Sequence, residues 1–394
     1  VTGQVAELMA RVPSAALKVH PEIEALHLYG SACAQLRAGS LGEARTAFGE
    51  ALRACSGDAT HTVRHRSWGL LALAEFIEGA LSAADEHGRT SLAVADRHGI
   101  PHDRRSGAGH LALAAVAAER GDVRAAAEHL AAADLLSDTR ADPVLVIERS
   151  VLRSQVDIAR GRWQSAVDDL AQPCPSGSGW LAERRAVAQA AVAVAHGDPG
   201  TALTVLEGVA HNGSSWTVAL AQAHLATGNL AQAQPLLAGL DGGDGLSLPD
   251  RVRLGLLRSR AALLDGDRAT ARDLLVQAVD SARPERLLRP FKEAGPWVRR
   301  LLDGHGELDP ARVRLTAGPP QVPGEAVPVV VEELSTRERQ VLAEVARLMS
   351  TDEIAAELGL SVNTVKTHLR SIFRKLCVTR RRDAVDRARE LHIL

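Results

Sequence analysis

Aromatic residues are scarce, with five Trp, four Phe and one Tyr in 394 residues. Lysine is scarcer: only Lys18, Lys292, Lys366 and Lys375 occur, and none follows a glycine, which excludes the GxxxxGK[ST] loop that cradles nucleotide phosphates. Cys33, Cys55, Cys174 and Cys377 lie far apart without a CxxC, so neither a disulfide framework nor a zinc site is expected, and a reducing cytoplasm fits. No uncharged apolar run of about 18 residues is present, so no membrane-spanning helix is expected. The first residues, Val1 to Glu7, lack the basic start and apolar core of a signal peptide. The formal charge of −2 does not mark the whole chain as a polyanion binder. His61/His65 and His98/His102 stand four apart, but no HExxH occurs and Pro101 interrupts the second pair, so packing or surface histidines are expected rather than metal ligands. No Ser/His/Asp or Cys/His set has supporting context, and no catalytic residue is assigned.

Alanine is abundant, at 68 residues, within an ordinary globular balance of 46% hydrophobic and 24% charged residues. An Ala- and Arg-rich chain with few aromatics reads as mostly helical. One pattern recurs seven times: a Gly, four residues, then an Ala. The pairs are Gly39/Ala44, Gly79/Ala84, Gly121/Ala126, Gly161/Ala166, Gly197/Ala202, Gly228/Ala233 and Gly266/Ala271. Twelve residues before each Ala stands a small residue: Ala32, Ala72, Ala114, Ser154, Ala190, Ala221 and Ser259. Ala, Gly and Ser make up about a third of the chain, so seven small residues by chance is on the order of one in a few thousand. Each unit therefore reads as helix, Gly turn, helix, with small residues facing each other so that the two axes approach to roughly 8–10 Å. Four residues after the Ala stand Phe48, Leu130, Leu170, Leu206, Leu237 and Leu275, one turn along the same buried face. The second unit has Gly88 there, and a shifted start or register is expected for its second helix.

Over about residues 20–280 this pattern resembles degenerate, slightly longer tetratricopeptide repeats. The resemblance implies a right-handed superhelix of stacked helix pairs with a concave face that binds a peptide, a domain or a small ligand; the plainer alternative is a spacer. Trp68, Trp163 and Trp216 fall at repeat positions where large core residues belong. Trp180 and Trp297 do not, and are the candidates for a ligand pocket. Residues 283–303 read as a closing helix pair broken by Gly295-Pro296. The domain expected over 1–303 is followed by a linker over 304–332 carrying Pro319, Pro320, Pro323 and Pro328.

Residues 333–394 are expected to form a compact four-helix unit. Ser335 caps a first helix, with Glu338 closing a capping box; Ser350 and Glu353 repeat the device. Gly359-Leu360 make a tight turn, and Ser361 caps a third helix with Val365, Leu369, Ile372, Phe373 and Leu376 as its apolar stripe. Its other stripe is Asn363, Lys366, Thr367, Arg370 and Arg374, at offsets 0, 3, 4, 7 and 11. Seven basic residues and no acidic one lie between Ser361 and Arg382. This local patch matters more than the overall −2, because screening limits electrostatic reach to about 10 Å at 0.1 M salt. Two short helices joined by a turn, the second presenting polar and basic residues, is the helix-turn-helix plan for reading DNA.

The run Leu334-Ser335-Thr336-Arg337-Glu338, with Glu353-Ile354-Ala355, Leu358, Leu360-Ser361, Thr364-Val365-Lys366-Thr367-His368, Ile372, Lys375-Leu376 and Ala384-Val385, resembles the LuxR-type DNA-binding domain. Together with the upstream repeats, it is similar to the large ATP-binding, maltose-regulator-like members of that family. Two departures stand out: Leu348 occupies a place where the family usually has Gly, and the phosphate loop of the large members is absent. The resemblance, with the opening Val1, implies the C-terminal portion of a longer regulator; no cofactor is expected in this chain, and ATP only in a preceding domain.

The resemblance places helix 361–376 in the major groove. Lys366 and Arg370 are expected on base edges and Thr367 near a thymine methyl. Ser361, Asn363 and Thr364 belong to the first turn, where a phosphate can be held, and Arg374, Lys375, Arg380 and Arg381 are expected on backbone phosphates. The last helix pairs two domains in the family, which implies a dimer face at Ala384, Val385, Ala388 and Leu391; packing against the domain itself is the alternative. The chain thus reads as an all-α bacterial transcriptional regulator, an activator, localised to the cytoplasm and nucleoid. Expected partners are double-stranded promoter DNA, a second copy on DNA, RNA polymerase and a small-molecule or protein effector on the solenoid; no membrane is involved. The competing reading is a helical-repeat protein-interaction scaffold with a non-specific basic C-terminal domain that binds a partner protein and would bind DNA only weakly and without sequence preference.

Overall fold

The computed structural model describes residues 21–171, 179–209, 213–240, 246–295, 297–302, 334–347 and 349–375, with residues 381, 384, 385 and 388 beyond them. Within helices, nothing is described of the side chains of residues 21, 299, 300, 302, 363, 370, 374 and 375. Among the described residues there are helices and no strands, and no helix is long and apolar enough to cross a membrane. The chain divides into two compact units between Pro320 and Gln321.

The first unit is a run of seven helical hairpins: α1 (Pro21–Ala38) with α2 (Leu41–Ala54), α3 (His61–Glu78) with α4 (Leu81–Arg97), α5 (Ala108–Glu119) with α6 (Val123–Asp134), α7 (Pro143–Ala159) with α8 (Trp163–Ala171), α9 (Gly179–His196) with α10 (Pro199–Glu207), α11 (Ser214–Ala226) with α12 (Leu230–Ala238), and α13 (Leu248–Leu264) with α14 (Arg268–Ala282). Two short helices, α15 (Arg289–Ala294) and α16 (Trp297–Leu302), follow.

Every hairpin turns in the same way, as the third shows. The Gly121 N–H donates to the Ala118 carbonyl and the Asp122 N–H to the Ala117 carbonyl, the paired bonds that close a helix on a left-handed residue. All seven repeat glycines have φ between +73° and +91°, where a Cβ is strained. The next residue already caps the second helix: the Asp122 carboxylate accepts from the Ala125 N–H at 2.9 Å. Asp198, Asn229 and Asp267 do the same in later units. Because the Gly residue ends one helix and its neighbour starts the next, the two helices must fold back on each other.

That fold-back presses the small residues together. All seven repeat alanines are fully buried, and the small residues twelve before them are at most 1% exposed. Where the partner is Ser259, its hydroxyl donates to the Ala271 carbonyl across the hairpin at 2.5 Å, so the polar group is satisfied without enlarging the contact. The second hairpin keeps the common register, contrary to the expectation of a shift. Helix α4 is continuous, Ala84 and Gly88 are buried, and a Cβ at Gly88 would lie 3.0 Å from Leu113 Cγ. Gly88 is where α4 comes close to α5, not a break in the pattern.

The hairpins do more than stack on their neighbours. The Gly39 turn packs against the Trp180 indole, whose Nε1 donates to the Arg37 carbonyl at 3.0 Å. The Gly79 turn meets the start of α13, where an added Cβ would stand 2.5 Å from the Leu248 nitrogen. The Gly121 turn meets the closing helices: the Leu288 N–H donates to the Glu119 carbonyl at 2.9 Å and Lys292 Nζ to the Gly121 carbonyl at 3.3 Å. The first three turns thus rest on the starts of α9, α13 and α15, and one hydrophobic cluster runs from Ala32 to Leu301. Charge reinforces this seam. Glu119, 3% exposed, receives Arg253 at 3.2 Å and Arg289 at 3.1 Å, and both arginines also reach Glu293. Burial alone would raise the Glu293 carboxyl, but the Arg289 and Arg253 guanidinium groups hold it below the ordinary carboxylate range.

Candidate nucleic-acid interface

The second unit contains α17 (Thr336–Ala346), α18 (Thr351–Leu358) and α19 (Val362–Lys375). Both capping boxes form as their spacing predicts. The Ser335 hydroxyl accepts from the Glu338 N–H and the Glu338 carboxylate from the Ser335 N–H at 2.7 Å; Ser350 and Glu353 repeat the exchange. The bonds from Ser350 hold the Glu353 carboxyl below its usual range. Gly359, at φ 62° and ψ 38°, ends α18, and the Leu360 N–H returns to the Ala355 carbonyl at 2.9 Å. Ser361 then caps α19, its Oγ accepting from the Thr364 N–H at 3.0 Å and lying 2.7 Å from Thr364 Oγ1.

These caps set the order helix, turn, helix and leave α19 with two faces. Val365, Leu369 and Ile372 are buried with Val341, Leu342, Val345, Leu334 and Ile354. Lys366 and Thr367 are exposed, Thr364 is half-buried and Ser361 is exposed. At about 100° per residue, Thr367 points opposite to Val365 and Leu369, and Lys366 stands at the side, about 80° from them. Asn363, Arg370, Arg374 and Lys375 lie within the same helix, though their side chains are outside the described residues. Arg380, Leu391 and the unusual Leu348 are also outside them.

Three placements refine the expectations. Ala384 and Ala388 are fully buried in the domain's own core, and Val385 is half-buried beside them. Arg381 does not extend from a free tail, because its guanidinium donates to the Met349 carbonyl at 3.2 Å and to Thr351 Oγ1 at 3.3 Å, at the start of α18. In the first unit, Trp180 packs on the Gly39 turn as described, and the Arg260 guanidinium stacks over Trp297 with 5.6 Å to the ring centroid. A shallow cavity of about 430 Å³ is lined by Ala182, Arg185, Ala186, Gln189, Val205 and Gly208, and neither tryptophan forms part of its wall.

The histidine pairs also part company. His61 stacks on His98 with centroids 3.4 Å apart. His65 is buried: its Nδ1 lies 2.9 Å from the Ser91 carbonyl, and its Nε2 accepts from the Ser106 N–H at 2.8 Å, the pattern of a neutral ring.

Sequence reasoning missed two ties between the helices of this unit. Arg337 Nη2 donates to the Leu358 carbonyl at 2.9 Å, fastening the end of α18 to the start of α17. The Ser371 hydroxyl donates to Glu338 Oε1 at 2.6 Å, fastening α19 to α17. The capping-box spacing revealed one oxygen of Glu338; only the fold shows that the other faces α19.

Comparison with known proteins agrees with both units. The family described as "MalT-like TPR region" matches residues 13–305, and "Bacterial regulatory proteins, luxR family" matches residues 332–388. Curated relatives include the HTH-type transcriptional regulator MalT of Cronobacter sakazakii, 45% identical over 58 residues covering 15% of this chain, and that of Yersinia enterocolitica, 42% identical over 72 residues covering 18%. The matched segments cover 6% and 8% of those relatives' lengths. Among solved structures, a tetratricopeptide repeat protein from Parabacteroides merdae aligns over 71% of this chain and 97% of its own, at 13% identity and a TM-score of 0.39. The chain belongs to the MalT-like tetratricopeptide-repeat family and carries a C-terminal luxR-family domain.

Proposed function

We propose that the chain is a sequence-specific DNA-binding transcriptional regulator, an activator, in which α19 reads the major groove. The observation that carries the reading is the exposed Lys366 and Thr367 on a capped helix whose opposite face is buried, inside the segment matched by the luxR family. Lys366 and Arg370 address base edges and Thr367 a thymine methyl. Ser361, Asn363 and Thr364 hold a phosphate at the positive end of α19, and Arg374, Lys375, Arg380 and Arg381 hold the backbone. Arg381 has donors beyond the two used at Met349 and Thr351, so both roles are compatible. The chain acts as a homodimer on promoter DNA, with RNA polymerase as a further partner.

The helical repeats sense a small-molecule or protein effector through a linked equilibrium. In one state they mask the DNA-binding domain; a ligand that prefers the other state releases it by no more than its differential affinity. Operator affinity that is unchanged by deletion of residues 1–314 would refute the masking.

Selection of genomic duplexes by the protein, with a salt titration, tests the DNA reading. Enrichment of one motif is expected, with Lys366→Ala and Arg370→Ala each costing about 1–3 kcal/mol on it. Uniform, steeply salt-dependent binding without enrichment would instead support electrostatic attachment alone.

A further inference from the structure

We infer that Ser371 is a positioning residue for DNA reading: its hydrogen bond to Glu338 sets the rotation of α19, and with it where Lys366 and Thr367 fall on the bases. The inference rests on the DNA-binding reading and adds to it a residue that touches no DNA. Glu338 is 5% exposed, and both its oxygens are engaged, Oε2 by the Ser335 N–H at 2.7 Å and Oε1 by the Ser371 hydroxyl at 2.6 Å. The capping box fixes this carboxylate at the start of α17, so it is a rigid reference point for the helix that Ser371 belongs to.

The apolar face of α19 supplies a less directional reference. Val365, Leu369 and Ile372 meet other aliphatic side chains, and contacts between such groups are non-directional. A short hydrogen bond is directional and weakens steeply when bent. The geometry sets the stakes. With a helix radius of about 5–6 Å including side chains, a rotation of about 20° moves the outer rim by about 2 Å. Hydrogen bonds to base edges tolerate a few tenths of an ångström. A small rotation therefore removes base contacts while leaving flexible cations within reach of phosphate, so losing the tie lowers specificity and spares non-specific binding.

The test uses the full chain and two duplexes: one enriched by the wild-type protein from a randomised 20-base-pair pool, and a shuffled duplex of the same composition. Ser371→Ala removes the hydroxyl from a helix that favours alanine; Ser371→Thr retains it. Ser371→Ala is expected to weaken binding to the enriched duplex about tenfold, with the shuffled duplex and its salt slope unchanged. Ser371→Thr is expected to restore most of the loss. Equal weakening on both duplexes, or none on either, overturns the positioning role while leaving the regulator reading intact. Failure of the wild-type chain to enrich any duplex overturns both.

Discussion

Gly79→Ala separates what the repeat turn requires from what the seam requires. Gly79 and Gly228 close equivalent turns, with φ of 91° and 79°. A methyl at Gly228 meets nothing within 4 Å, whereas at Gly79 it would lie 2.5 Å from the Leu248 nitrogen and 3.1 Å from Ser247 Cα. Both substitutions incur the left-handed strain of about 1–2 kcal/mol, partly offset by about 0.4–1 kcal/mol of lost freedom in the unfolded chain. Gly228→Ala should therefore cost about 1 kcal/mol. Gly79→Ala must also displace backbone, since neither Leu248 N nor Ser247 Cα can swing aside as a side-chain tip would. Overpacking of that kind adds about 1–3 kcal/mol, for a total near 2–4 kcal/mol. Denaturant unfolding of the full chain followed at 222 nm measures the difference. Hydrogen exchange localises it: Gly79→Ala should speed exchange in the first turn of α13, some 170 residues away in sequence, and Gly228→Ala should not. Equal costs, or unchanged protection at the start of α13, would refute the seam contact.

Acid should act on the two units in different windows. Burial lowers His65 and His129 below the ordinary histidine value and takes His110 down to about 4, its neighbour His129 assisting. In that window the unfolded chain binds more protons than the native one, so stability is present above about pH 6.5 and is lost as pH falls toward the folded values. Glu75 and Asp169, raised by burial, oppose this only in the carboxylate range. The helical repeats should therefore start to lose stability between pH 6.5 and 4, whereas the depressed Glu353 contributes to the DNA-binding unit until pH falls below the ordinary carboxylate range; melting scans at stepped pH resolve the two, and a common onset near pH 6 would contradict the assignment. Ala166→Leu places three extra carbons at a fully buried hairpin contact facing Ser154 and should cost about 1–3 kcal/mol or more by chemical denaturation; a neutral result would mean that the helices of the fourth hairpin can separate freely.

Much of this architecture was legible because its causes are local and repeated. A glycine that must be left-handed and an alanine five residues later are both short-range requirements, and seven copies made them visible against background. The two capping boxes of the DNA-binding unit were legible for the same reason: each is a serine and a glutamate three apart. The failures lie where a residue acts at long range. Gly88 looked like a lapse in the pattern, yet its missing side chain admits Leu113 from the next hairpin. Trp180 stands outside the repeat and packs on the first turn from the fifth hairpin, a contact that no local pattern announces. Ala384 and Ala388 show the same ambiguity in reverse. Small residues on one helix face predict close packing, but the partner can be the domain's own core or a second copy, and only the fold distinguishes them.

The seam also changes how the helical repeats should be understood as a physical object. An open solenoid is quasi-one-dimensional: each unit touches its neighbours, and stability is a sum of local terms. Here the first three turns bear on α9, α13 and α15, so nearest-neighbour accounting is incomplete. Glu119 makes the point most sharply. It closes the third hairpin's first helix, yet its two arginine partners come from α13 and α15, more than 130 residues on. Removing one arginine would leave the buried Glu119 carboxylate with a single counter-ion and so weaken the tie between these elements. The closing helices are therefore held by the third hairpin as well as by the seventh, and α16 is the last described element before the proline-rich stretch. A disturbance at the third turn thus reaches the end of the repeat domain directly, through one carboxylate and two guanidinium groups, without passing through the four hairpins between.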